Sequence, residues 1–153
     1  PGVGHAFQLD VGDELAVRQF VDDVVELAGS LDILINNAYG PPGSDWSEAR
    51  GGEFEESLRV GVTASFVASQ QMAKHSERSL HGGSIINVSS IFGMVSSHPQ
   101  DYEGLGFKSP PQYHAAKGAL IQLTRYMAIH LASNGIRVNC LSPGTFLKPW
   151  LTD

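Results

Sequence analysis

Tyr113 and Lys117 stand four residues apart in a segment, Gln112 to Leu131, with the composition of a helix. Side chains at that spacing share one helix face, about one turn apart. A free phenol, with a pKa of about 10, is a poor acid or base at neutral pH. An ammonium held beside it favours the phenolate and lowers that value. Such a pair would exchange a proton with an alcohol or a carbonyl. The same spacing also arises on ordinary solvated helices, so the pair needs supporting residues before it reads as a site.

The elements around it supply that support. Asp13 can cap a helix in which Val17, Phe20, Val21, Val24 and Ala28 recur at helical spacing, stopped by Gly29. Before it, His5 to Asp10 reads as a short strand ending in an acid. Asp32 to Asn36 is a continuous apolar run, expected as a strand buried on both faces. Tyr39 to Gly52 is a Gly-, Pro- and Ser-rich loop, followed by a long helix from about Glu53 to His75. Gly82-Gly83 breaks the chain, and Ser84 to Ser89 is another buried strand. Gly93 to Pro111 is irregular. The Tyr113 helix follows, closed by Asn134-Gly135, and Ile136 to Leu141 is the last strand before Pro143-Gly144.

Alternating strands and helices imply parallel βαβ units with right-handed crossovers. In such a sheet, ligands bind beyond the carboxyl ends of the strands. Those ends are Asp10, Asn36-Asn37-Ala38, Ser89-Ser90 and Ser142-Pro143-Gly144. Tyr113 opens the helix after the third strand and can reach the same crevice. A hydroxyl at Ser90 beside the phenol would aim two donors at one substrate oxygen.

Composition narrows the classes. The 153 residues are 42% hydrophobic and 17% charged, an ordinary globular balance. A net charge of -6 without a basic cluster disfavours nucleic acid as a partner. No apolar run reaches membrane-spanning length, so no membrane partner is expected. Cys140 is the only cysteine in these residues, reads as a small buried residue, and fits a reducing cytoplasm. The six histidines show no metal-ligand grouping, and no metal is expected. Gly2-x-Gly4 lacks a preceding strand and a third glycine, and reads as a plain turn. His114 reads as packing or surface. Trp46 and Trp150 fall in loops, Trp150 near the expected substrate side.

Taken in order, these motifs resemble the short-chain dehydrogenase/reductase family. The resemblance rests on Leu9-Asp10-Val11, Asn36-Asn37-Ala38, Gly83 to Ser90, Tyr113-x-x-x-Lys117, Ile136 to Asn139 and Pro143-Gly144, and spans nearly the whole chain. It implies an α/β, Rossmann-like doubly wound parallel sheet. Only the strands corresponding to the family's third to sixth are present, so residues 1–153 would form part of one dinucleotide-binding and catalytic domain. It implies hydride transfer between NAD or NADP and a small alcohol or carbonyl substrate, with Ser90, Tyr113 and Lys117 catalytic. Asp10 and Val11 would contact adenine, and Asn36 and Ala38 would lie along the cofactor. Tyr113 and Lys117 would meet the nicotinamide ribose, and Pro143 and Gly144 the nicotinamide. A homo-oligomer, dimer or tetramer, is implied through the two long helices.

Three departures stand out. Tyr39 follows Asn-Asn-Ala where the family usually has glycine. Gly61 occupies the position of the family's fourth catalytic residue, an asparagine. The segment between Ser90 and Tyr113 is long, and resembles a branch associated with surface sugars, which leans toward a sugar-like substrate. The family's glycine-rich turn would lie upstream of Pro1. These residues are therefore expected to be a piece of a longer protein that neither binds the cofactor tightly nor turns over alone. Two alternatives stay open: a sugar-nucleotide epimerase or dehydratase with the same tyrosine–lysine pair, and a non-catalytic homologue.

Overall fold

A computed structural model describes residues 2–40, 42–79, 82–105 and 108–144; Trp150 lies outside them. The Asp13 carboxylate accepts from the N–H groups of Leu15 at 2.9 Å and Ala16 at 3.1 Å, which starts helix α1, Glu14–Ala28. Gly29, at φ 83°, ends it in the left-handed region that a side chain would resist. Strands β1 (Ile33–Asn36), β2 (Gly83–Val88) and β3 (Ile136–Leu141) pair in parallel in the order β1-β2-β3. Between β1 and β2 lie helices α2 (Gly51–Leu58) and α3 (Ala64–Ser79), and between β2 and β3 lies α4 (Pro111–His130). The architecture is the α/β parallel arrangement that the alternation implied.

The core sits where the sheet meets the helices. Met72 from α3, Ile85 from β2, Met127 from α4, and Ile136 and Val138 from β3 form one buried cluster. Val17 and Val21 of α1 pack with Val67 and Ala68 of α3 in a second. Leu34, from β1, packs against both. A polar seam crosses this apolar interior. Asn36 Nδ2 donates to Asn87 Oδ1 at 2.8 Å, Asn87 Nδ2 to Thr124 Oγ1 at 2.9 Å, and Thr124 Oγ1 to the Leu120 carbonyl at 2.7 Å. Asn87 is fully buried, so each bond satisfies a group that water cannot reach. The seam ties two strand ends to α4, the helix that carries Tyr113. No helix among the described residues is long and apolar enough to cross a membrane.

Four expectations need correction. Residues 5–10 form no ladder, because the described sheet ends at β1. Phe7 instead lies edge-on to Phe20 at 5.3 Å, and Leu9 and Val11 pack on the α1 cluster. The apolar run of β1 is not covered on both faces. Its Leu34 side meets α1 and α3, while Ile33 is 61% and Ile35 58% exposed. Cys140 is only partly buried. Finally, the long helix expected from Glu53 to His75 runs from Gly51 to Ser79 with a π-helical turn, Arg59–Thr63, set into it.

That turn contains Gly61. A π turn takes an extra residue and loosens the local hydrogen-bond ladder. Here the Ser65 hydroxyl donates to the Gly61 carbonyl at 3.0 Å. A Cβ built at Gly61 would meet only Ala116 Cβ, at 4.0 Å, so packing does not demand glycine. Gly61→Ala should therefore stabilise the protein by about 0.5–1 kcal/mol, read as a raised Tm, because alanine loses less backbone freedom in a helix. A lowered Tm would show that the π turn itself needs glycine.

Candidate active site

Helix α4 presents the tyrosine. Pro110 precedes the helix and Pro111 occupies its first turn, where the missing N–H is no loss. Tyr113 lies in that turn, half-buried, its N–H donating to the Pro110 carbonyl at 3.1 Å. One turn on, Lys117 points inward and is 6% exposed. Its Nζ donates to the Val88 carbonyl at the end of β2, at 2.7 Å. The same ammonium lies 5.7 Å from the ring centroid of Tyr113 and 5.7 Å from that of Tyr39. Burial holds the Lys117 pKa below its ordinary value.

The serine pair divides into two roles. Ser89 Oγ donates to the Lys117 carbonyl at 2.8 Å and is spent on holding β2 against α4. Ser90, in extended backbone, accepts from the Phe92 N–H at 3.2 Å, which leaves its own proton to donate. Ser90, Tyr113 and Gly144 line one open cavity of about 610 Å³. Pro143 sits behind Gly144 and anchors the turn after Ser90, its carbonyl accepting from the Ile91 N–H at 3.0 Å.

Three of the expected cofactor residues gather in a second place. Val11, Asn36 and Ala38 line an apolar slot of about 120 Å³ with Leu9 and Val17. Ala38 lines the slot and the next residue, Tyr39, lines the cavity, so the loop after β1 contributes to both. Asp10 stands apart. It is exposed, it does not line the slot, and its carboxylate accepts from the Gly12 N–H at 2.8 Å. His114 is a fastener: it exchanges hydrogen bonds with Ser109 at 2.9 Å and Ser97 at 3.2 Å and lies 4.9 Å from the Phe92 ring. Among the described residues, no cluster of His, Cys, Asp and Glu is arranged for a metal.

Several contributors escaped the sequence reading. Glu53, at the start of α2, accepts from the Ser44 N–H and hydroxyl, each at 2.8 Å, and from Gln112 Nε2 at 2.9 Å. These bonds, the Ser44 N–H foremost, hold its carboxyl below the usual range, and they tie the loop after β1 to the residue before Tyr113. Lys108, which lines the cavity, donates to Asp45 at 2.7 Å, and with Ser47 pushes the Asp45 pKa down to about 2. In the sequence Gly93 only opens an irregular segment. A Cβ there would stand 2.7 Å from the Lys117 carbonyl carbon and oxygen. The signal for such residues is three-dimensional, since each bond spans many positions.

The short chain dehydrogenase family model matches residues 3–152, and the chain belongs to that family. It is 38% identical over 149 residues to the uncharacterized oxidoreductase YxbG of Bacillus subtilis, covering 97% of this chain and 50% of that protein. Sorbitol-6-phosphate 2-dehydrogenase SrlD of Erwinia amylovora superposes with a TM-score of 0.82 at 30% identity, covering 96% of this chain and 54% of that one. A short chain dehydrogenase of Leptospira borgpetersenii, solved with bound NAD+, gives a TM-score of 0.82 at 27% identity, with 93% and 54% covered. The chain thus spans about half the length of the proteins it matches.

Gly93→Ala offers a direct check on the packing behind the lysine. Such a Cβ would also come within 2.8 Å of Ile121 Cδ1, which can turn aside, but the two Lys117 backbone atoms cannot, so α4 or the turn after Ser90 must shift. The expected outcome is a loss of about 1–3 kcal/mol in unfolding free energy by denaturant titration. Unchanged stability would mean that the turn yields freely and does not fix Lys117.

Proposed function

We propose that the whole protein is an NAD- or NADP-dependent oxidoreductase acting on an alcohol/carbonyl pair, with residues 1–153 as part of its dinucleotide-binding and catalytic domain. The observation that carries this reading is the meeting of Ser90 and Tyr113 in one cavity above the buried Lys117 ammonium. The family and the strand-end location agree with it.

The residues present fit part of a dinucleotide. The slot lined by Leu9, Val11 and Ala38 has the apolar walls that suit a flat heterocycle, and Lys117 with Tyr113 stands ready for a ribose. A nicotinamide dinucleotide held there would supply the hydride chemistry, acceptance from the alcohol carbon or donation to the carbonyl carbon. Ser90 donates to the substrate oxygen and holds it. Tyr113 takes the hydroxyl proton as that oxygen becomes a carbonyl, and gives it back in the reverse direction. Lys117 stabilises the phenolate through a charge fixed at Val88. Its burial keeps water, which would screen that charge, away from it. Gly61 supplies no side chain to a proton relay, so release of the proton to solvent runs through water or another group.

The substrate is a small polyhydroxylated molecule. Beside Ser90 and Tyr113, the cavity is lined by the hydroxyl-bearing residues Tyr39, Tyr102 and Ser109 and by Lys108, among the apolar Ile91, Phe92, Pro42 and Pro110. Aromatic and apolar walls set with a few hydroxyl-bearing residues suit a sugar or polyol, and the sorbitol-6-phosphate enzyme is among the structural relatives. Tyr126 and Ile129 on α4 and Leu58 on α2 are exposed, which supports a homo-oligomer joined through these helices. A cytoplasmic setting accords with the lone cysteine.

The test uses the whole protein. Reduction of NAD or NADP, followed by absorbance, should be faster with polyols and aldoses than with short aliphatic alcohols. Tyr113→Phe should lower kcat by about 100-fold or more, and Ser90→Ala by a comparable factor. Undiminished turnover in Tyr113→Phe would overturn the reading. Absence of turnover in the parent with every polyol would favour the non-catalytic homologue.

A further inference from the structure

The family's usual glycine after Asn-Asn-Ala is replaced here by Tyr39, and the structure gives that ring a definite place. It lies edge-on to the Tyr113 ring, with centroids 5.0 Å apart and planes at 89°. This is a favoured aromatic geometry, in which a ring edge meets the negative face of its neighbour. The Lys117 ammonium stands 5.7 Å from both centroids, so two phenols flank one cation. Tyr39 also walls the cavity that Ser90 and Tyr113 line.

We propose that Tyr39 is a positioning residue for the acid–base pair: its ring fixes the direction of the Tyr113 phenol and shields the Lys117 ammonium from water. The role rests on the reading of Tyr113 and Lys117 as that pair. The two phenols are not interchangeable. Tyr39 is 41% exposed, yet partial burial, and then the neighbouring Tyr113, push its pKa above the ordinary value, so Tyr39 stays protonated while it covers the site. Glycine in its place would leave the cavity side of Lys117 open to water. Water there raises the local dielectric and weakens the ammonium's hold on a phenolate.

The titratable groups facing this arrangement come from four elements. Tyr39 lies on the loop after β1, and Tyr102 and Lys108 lie on the segment between β2 and α4. His114 and Lys117 share α4 with Tyr113, and Cys140 of β3 acts electrostatically on Lys117. Lys108 is already paired with Asp45. Lys117 is therefore the cation whose screening Tyr39 controls.

Titration of phenolate absorbance in the near ultraviolet tests the proposal without any substrate. In the whole protein, the Tyr113 transition is isolated as the difference between each variant and the same variant carrying Tyr113→Phe. Tyr39→Ala should move that midpoint up, since hydration screens the Lys117 charge. Tyr39→Phe keeps the ring and should bring the midpoint back to within a few tenths of a unit of the parent. A midpoint unmoved by Tyr39→Ala, or moved equally by Tyr39→Phe, would overturn the role. Tyr39→Gly is the second truncation, and circular dichroism confirms that each variant is folded. The titration judges Tyr39 even if Tyr113→Phe keeps full turnover, an outcome that would sink the catalytic reading instead.

Discussion

The Lys117 ammonium, donating to the Val88 carbonyl, is the contact around which the site is arranged. A lysine this deeply placed meets a desolvation penalty, and the lowered pKa records it. The penalty is tolerable because the charge has a carbonyl to bond and two aromatic rings beside it. Fixing the ammonium at the tip of β2 also fixes the first turn of α4, and with it Tyr113. A solvated lysine at the same position would leave the phenol with a mobile and screened neighbour.

The surrounding structure serves that placement. Ser89 binds the Lys117 backbone, Gly93 allows the turn after Ser90 to press against it, and Thr124 joins α4 to the Asn36–Asn87 seam. On the other side, Glu53 gathers Ser44 and Gln112, so the loop that carries Tyr39 is tied to the residue before Tyr113. Strand register does the rest. Ser89 and Ser90 are neighbours, yet one turns to the helix and the other to the cavity, as successive side chains in extended backbone must.

Much of this was legible in the amino-acid order. The parallel α/β sheet follows from local signals: the Asp13 cap, the Gly29 stop, and apolar runs of strand length at Ile85 and Val138. Tyr113, Lys117 and Ser90 were visible because their spacing and strand-end setting are local too. The π turn was not, since five residues carry too little periodicity to separate it from an α-helix. Nor was the solvent exposure of Ile33 and Ile35, because an apolar run says what is greasy and not what covers it. The Tyr39–Tyr113 contact and the Glu53 clamp join residues far apart in the chain, and no short-range pattern encodes them. Asp10 was placed by resemblance, and the structure leaves it beside the slot and outside its lining.

The most direct measurement is a crystal structure of the whole protein with a nicotinamide dinucleotide and a polyol or its keto product. The account predicts that Tyr113 Oη and Ser90 Oγ both lie within hydrogen-bond distance, roughly 2.6–3.2 Å, of one substrate oxygen, with Lys117 Nζ still inside at the tip of β2. A substrate bound elsewhere, or a Tyr113 hydroxyl turned from it while Lys117 swings out to solvent, would contradict the account.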